Sequence, residues 1–98
     1  MELETFSGLD WDAGNRIKCA KHGVSIDEIE AMFAGEPFYA PDVAHSIDEQ
    51  RYLATGRTAE GRALLVVFTV RERDDKRYVR PISARYMHAK EAARYGHA

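Results

Sequence analysis

From Leu64 to Arg71 the chain is apolar and β-branched almost without interruption, and such a stretch demands a strand. Glu60-Gly61 ahead of it is a reasonable hairpin turn, and Glu72 to Lys76 behind it is a polar turn. The flanking segments share the two-residue period. Arg51, Leu53, Thr55 and Arg57 alternate with Tyr52, Ala54 and Gly56. Arg77 to Ala84 reads as a further strand, with Pro81 at a bulge or an edge-side position. Consecutive strands joined by short turns make an antiparallel meander. Even the longest apolar run, Ala63 to Phe68, is far too short to cross a bilayer.

Upstream the period becomes helical. Residues 12–21 read as a first helix with Ala13, Ile17 and Ala20 on one face, and Gly23 follows where a left-handed C-cap residue belongs. Ser25 with Glu28 forms a capping-box pattern for a second helix. Ile26, Ile29 and Phe33 supply its apolar stripe with Met32 beside it, and Gly35 and Pro37 stop it. Shorter elements are expected as a first strand at Glu2 to Phe6 and an edge-type strand at Phe38-Tyr39-Ala40. A single helical turn around His45 to Glu49, with Ser46 as a cap, and a terminal helix at His88 to Tyr95 complete the reading. The result is α+β: an N-terminal helical hairpin packed on an antiparallel β-meander with a short C-terminal helix. A chain of 98 residues with 45% hydrophobic composition supports one domain, 1–98.

The acidic and basic residues are sorted along this order. Residues 1–50 hold 3 Lys/Arg against 11 Asp/Glu, a formal −8, whereas residues 51–98 hold 11 against 5, a formal +6. Most of the arginines in the second half lie on or beside the strands. The near-neutral total therefore hides a basic half suited to phosphate or to an acidic protein segment. Cys19 is the sole cysteine, which excludes an internal disulfide or a CxxC cluster, and the four histidines match no ligand spacing. No metal and no cofactor is expected. The start, Met1 to Phe6, has no basic, apolar signal character, so a soluble cytoplasmic protein without a membrane partner is expected.

Strand parity sets Arg51 and Arg57 on one face with Leu53 and Thr55, Arg71 with Thr69, Val67 and Leu65, and Arg80 with Tyr78 and Ile82 unless a bulge at Pro81 resets that phase. Arg85 and Tyr86 close the last strand. Such a set can line a guanidinium-rich concavity beside aromatic rings. Cleavage of RNA to a 2′,3′-cyclic phosphate requires deprotonation of the 2′-hydroxyl, stabilisation of the nonbridging oxygens and protonation of the leaving 5′-oxygen. Arginine meets the second need with its planar fork of donors but is a poor acid or base. Lys18, His22, His45, Tyr78, Tyr86 and His88 are candidates for the proton transfers, and tyrosine can also stack on a base. The plain alternatives are strand-end arginines paired with carboxylates, His45 tying down its loop, His22 at a helix C-terminus, and Trp11 as a packing anchor. Cys19 and His22, three apart, read as packing.

These residues together resemble the BrnT family of type II toxin–antitoxin toxins, small ribonucleases with a RelE-like fold. The resemblance covers roughly residues 9–95. It is carried by Trp11-Asp12, Lys21-His22-Gly23-Val24-Ser25, Asp42, His45-Ser46, Glu49, Arg51 and Gly56-Arg57. Leu65 to Thr69 with Arg71, and Arg80-Pro81-Ile82-Ser83-Ala84-Arg85, extend it. It implies metal-independent RNA cleavage that inhibits translation and growth, and neutralisation by a BrnA-like antitoxin. It also implies operator DNA reached only through the antitoxin complex, and a toxin dimer within that complex. Arg57, Arg71 and Arg80 would then serve phosphate and transition state, Lys18 or His22 proton transfer, and Arg51, Arg85, Tyr78 and Tyr86 RNA binding. Trp11, His45 and Glu49 would be supporting residues. Many relatives carry a lysine where this chain has Gly14-Asn15, so any role of that lysine in cleavage is either missing here or displaced to Arg16 or Lys18. Pro81 stands where relatives often have isoleucine or valine. Two other function classes fit less of the pattern: a noncatalytic protein docking a partner through its basic sheet, and a nonenzymatic DNA-binding module, for which no recognition helix is visible.

Overall fold

Residues 6–45 and 48–96 are described by the computed structural model. The elements are β1 (Gly8–Leu9), α1 (Ala13–Ala20), α2 (Ile26–Ala34), β2 (Phe38–Pro41), a 3-10 turn (Val43–His45), β3 (Tyr52–Arg57), β4 (Ala63–Arg73), β5 (Lys76–Tyr86) and α3 (Ala89–Arg94). They form the expected α+β arrangement around a five-stranded sheet in the order β1-β5-β4-β3-β2. The meander is joined by β2 as an antiparallel edge and by β1 as a parallel one, so the sheet is mixed. Most of the strand expected at Glu2 to Phe6, and the Ser46 cap, lie outside the described residues. Among the described residues no helix is long and apolar enough to cross a membrane.

Alternation along β4 separates two packing faces. Leu64, Val66 and Phe68 join Ala54, Val79, Ala84, Ile29, Met32, Cys19 and Val24 in the larger core under the helical hairpin. Ala63 and Leu65 face the other way with Met87 and Ala92, and Leu53, Val67 and Tyr95 pack around them under α3. Gly56 belongs to the hairpin side: a Cβ there would sit 2.8 Å from Met32 Cγ, so glycine is what lets α2 settle onto β3.

The second helix follows its sequence signals. Ser25 Oγ accepts from the Glu28 amide and Glu28 Oε1 accepts from the Ser25 amide, the reciprocal capping box, and Gly35 ends the helix. In α1 the expected face is wrong. Ile17 is 73% exposed, Ala13 and Ala20 are also exposed, and the buried residues are Asn15 and Cys19. The reason lies in the sheet. Helix α1 runs along β5, where a strand edge presents carbonyls that need donors. Asn15 Nδ2 donates to the Pro81 and Asp10 carbonyls, both at 2.9 Å, while its Oδ1 accepts from the Asp12 amide. A polar side chain is therefore buried there because it satisfies backbone that an alanine or isoleucine would strand.

The meander's turns also differ from expectation in length. Asp74 and Asp75 alone connect β4 to β5, both at positive φ (51° and 63°), as a two-residue hairpin turn of right-handed twist requires. Left-handed backbone costs a non-glycine residue about 1–2 kcal/mol. Replacing Asp75 with glycine is therefore expected to raise unfolding stability by about 0.5–1 kcal/mol after the entropy glycine adds to the unfolded chain. Urea denaturation of the two proteins checks this, and a destabilised variant would contradict it.

Pro81 does mark a bulge. Val67 pairs with Ser83 and Phe68 with Pro81, leaving Ile82 as the extra residue. The insertion has a consequence for charge. Arg80 and Arg85 are an odd number apart, yet Arg80 pairs with Thr69 and Arg85 with Leu65, both on the α3 side of β4. The bulge thus returns both arginines to one face.

Candidate active site

Parity and register place Arg57, Arg71, Arg73, Arg80 and Arg85 on the sheet face turned away from the helical hairpin. Helix α3 covers one end of this face and divides the arginines. At the covered end Arg85 forms a two-pronged pair with Glu91 of α3, both contacts 2.6 Å. Arg57 lies at the same end, opposite Ala63, where its guanidinium donates to the Gly61 carbonyl at 2.6 Å. At the open end Arg71 and Arg80 stand on adjacent strands, and Arg51 enters from the segment before β3. Six residues of strand, roughly 20 Å, separate Arg51 from Arg57.

The open end is a cleft of about 570 Å³. Its far wall is the N-terminal part of α1, and its cationic lining is Lys18, Arg51, Arg71 and Arg80. Asp12 and Glu49 line it too. Two devices build this wall. The parallel pairing of β1 with β5, fixed by Ser7 donating to the Arg77 carbonyl and Asp10 to that of Val79, both 2.7 Å, brings Asp10 beside Arg80. The Asp12–Asn15 capping box then starts α1 at the cleft's rim.

Each cleft arginine on a strand carries a carboxylate. Arg80 reaches Asp12 Oδ2 at 2.7 Å and Asp10 Oδ2 at 3.6 Å, while Arg71 reaches Glu49 Oε2 at 2.9 Å. Arg73 meets Asp10 at 3.3 Å and lies 4.9 Å from the centre of the Tyr78 ring, just outside the cleft. The Asn15 amide, followed by Arg80, holds the Asp12 carboxyl below its ordinary value, and the Asp12 hydrogen bond raises the Arg80 guanidinium. Both charges of this pair are therefore secured at neutral pH. The carboxylates also fix the guanidinium planes, which suits a fork waiting for an anion.

The residues named from sequence thus fall into groups. Lys18, Arg51, Arg71, Arg80 and Glu49 meet in the cleft, with Tyr78 opposite Arg71 on the neighbouring strand. Of Arg16 and Lys18, the two candidates for the role of the absent early lysine, Lys18 lines the cleft, whereas Arg16 lies 5.9 Å from the Trp11 ring. Trp11 itself packs against the main core. Arg57, Arg85, His22 and Tyr86 are not in the cleft lining. Tyr86 donates to Glu28 Oε1 at 2.7 Å, and this bond raises its phenol, while Arg62 stacks 3.4 Å over its ring. The Glu28 carboxyl is held down by the Ser25 amide and then by Tyr86, so the group acts as a clasp between α2 and β5. Burial pushes the Cys19 thiol up to about 11, which removes it as a nucleophile. The backbone of His45 lies in the 3-10 turn.

Asp12 and Asn15 line the cleft and Asp10 stands beside Arg80, and the sequence reading gave none of the three a place in the site. The Asp12-to-Asn15 spacing is itself a capping signal and could have placed a helix start beside the last strand. Residues 11–91 match a protein-family model described as ribonuclease toxin, BrnT, of type II toxin–antitoxin system. No curated protein matches the chain.

Proposed function

Because the chain belongs to the BrnT family of ribonuclease toxins of type II toxin–antitoxin systems, we propose that RNA is bound and cut in the cleft between α1 and the open end of the basic sheet face, without a metal ion. The observation that carries this reading is the convergence of Lys18, Arg51, Arg71 and Arg80 on one cavity from a helix, a loop and two strands. Cleavage to a 2′,3′-cyclic phosphate concentrates negative charge on the nonbridging oxygens. Guanidinium forks already oriented by carboxylates stabilise that charge with little reorganisation. The carboxylates at hand, Asp12 and Glu49, are each engaged by an arginine, and this supports cationic rather than metal-borne stabilisation.

The family implies an antitoxin partner and an RNA substrate. The finer reading is that a BrnA-like antitoxin lays an acidic segment over the cleft, displacing Asp12 and Glu49 from their arginines. RNA and antitoxin then compete. The toxin meets operator DNA only through the antitoxin, which also joins two toxins, and the site of action is cytoplasmic. That the arginines already accept carboxylates also favours a second reading, in which the same cleft only docks an acidic partner and cuts nothing.

Purified protein incubated with structured and unstructured RNA, with and without EDTA, separates the two. The expected result is cleavage indifferent to EDTA, leaving cyclic phosphate ends, together with growth arrest on expression. Intact RNA at high protein-to-RNA ratio without growth arrest leaves only the docking reading. Cleavage abolished by EDTA overturns metal independence alone.

A further inference from the structure

The ribonuclease reading requires a group that takes the proton of the attacking 2′-hydroxyl, and the cleft lining narrows the choice. Among the described residues its titratable members are Asp12, Lys18, Glu49, Arg51, Arg71 and Arg80. His22 and Tyr86 do not line it, and Tyr86 is tied to Glu28. Arginine stays protonated and Lys18 arrives as a donor, which leaves two carboxylates as acceptors. They differ in how their oxygens are used. Asp12 Oδ1 accepts from the Asn15 amide at 3.0 Å and Oδ2 from Arg80 at 2.7 Å, so both are committed to starting α1 and holding Arg80. Glu49 Oε2 accepts from Arg71 at 2.9 Å, and Oε1 has no hydrogen-bond partner among the described residues. Its side chain is 35% exposed and lines the cleft.

We propose that Glu49 is the general base of RNA cleavage, with Arg71 orienting its carboxylate, and Lys18 the general acid. The role rests on the ribonuclease reading. Glu49 takes the 2′-hydroxyl proton as the 2′-oxygen forms its bond to phosphorus. The bond from phosphorus to the 5′-oxygen breaks, and that oxygen leaves with its electron pair and the Lys18 proton. The products are a 2′,3′-cyclic phosphate and a 5′-hydroxyl, with Glu49 protonated and Lys18 neutral; exchange with water resets both. Arg71 on β4, Arg80 on β5, Arg51 ahead of β3, and Asp12 and Lys18 on the α1 side share the cleft with Glu49, and Glu72 and Tyr52 share with it an adjoining hollow over β3 and β4. In sequence Glu49 reads as a supporting residue, because nothing local reveals that a strand-borne arginine holds one of its oxygens.

The test compares wild type with Glu49→Gln and Glu49→Asp. Glutamine keeps an acceptor toward Arg71 and removes the basicity, and aspartate keeps the basicity on a shorter arm. Cleavage rate is measured across pH, and binding is measured separately with an RNA whose 2′-hydroxyls are methylated. Expected for Glu49→Gln are a rate lower by on the order of 10²-fold, unchanged affinity for the methylated RNA, and loss of the fall in rate on the acidic side of the wild-type profile. Glu49→Asp is expected to retain that fall at a reduced rate. Wild-type-like cleavage by Glu49→Gln overturns the role while the ribonuclease reading stands. Equal loss of binding and rate overturns it too, since Glu49 would then only hold Arg71. If wild type itself cuts no RNA, the ribonuclease reading falls and this role with it.

Discussion

Arg80→Ala is expected to lower the RNA cleavage rate by about 10²–10³-fold, the size of effect seen when one preorganised donor to a developing oxyanion is removed. Arg80 is the cleft arginine with the most fixed orientation, held by Asp12 at 2.7 Å and by Asp10 at 3.6 Å. Its side chain is only 24% exposed, against 42% for Arg71. A guanidinium confined in this way meets phosphate without first losing rotamer freedom, so its contribution to the transition state is large. The fold is expected to tolerate the change. Asp10 and Asp12 remain near solvent, the Asp12–Asn15 cap does not involve Arg80, and partly exposed ion pairs contribute about 1 kcal/mol or less. Arg80→Lys keeps the charge without the planar fork and is expected to recover only part of the rate. Arg85→Ala, on the same sheet face but paired with Glu91 under α3, is the control that leaves the rate near wild type. Rates, thermal unfolding and growth of expressing cells are the readouts. A folded Arg80→Ala protein that cuts RNA at the wild-type rate would remove Arg80 from the site.

Phe68→Ala is expected to be the most damaging core substitution, at about 3–5 kcal/mol. Phe68 is fully buried and sits at the hub of an aromatic group. Its ring lies 5.3 Å from Phe33 and 6.2 Å from Phe6 in edge-on contacts, 5.9 Å from Tyr39, and 5.5 Å from Tyr52 in a stacked one. Truncation removes contacts to α2, β2, β3 and the segment before β1 together, and these rigid rings cannot close the space. Whole domains are stable by only about 5–15 kcal/mol, so a large share of the total is lost. For a domain near this size the midpoint of thermal unfolding falls by at least about 12 °C. Phe68→Leu, which keeps most of the volume, is expected to cost markedly less. Loss of toxicity in Phe68→Ala would then follow from low abundance, and soluble protein recovered at low temperature would still cut RNA. A melting point within a few degrees of wild type would show that the cluster is not the keystone of the core.

Local signals account for much of the architecture. The Ser25–Glu28 box, the Gly35 stop, the edge-type strand before Pro41 and the Pro81 bulge all appear in the fold because each is decided by a few neighbouring residues. Strand parity gave each arginine a face on its own strand, and the register of the sheet is what brings Arg51, Arg71 and Arg80 to one cleft. Parity could not say where along the strands the face stays open. Arg57 and Arg85 obey the same alternation yet sit under the α3 end, because α3 packs on Ala63 and Leu65 and covers that part of the sheet. The first helix misled for a related reason. Its composition favours burying Ile17, but the carbonyls along β5 needed the Asn15 amide more than the core needed another side chain.

By itself, then, the order of residues determined the class of fold, the charge of each half and the alternation of the arginines along each strand, since these depend on periodicity and on contacts within a few residues. Only the tertiary structure decided which arginines meet in one cleft. That convergence rests on a two-residue parallel strand, the Asp12 cap beside Arg80, and the Glu49 carboxylate against Arg71. All three join residues far apart in the chain, and no local pattern records a contact whose stabilising partner arrives only when the sheet edge closes.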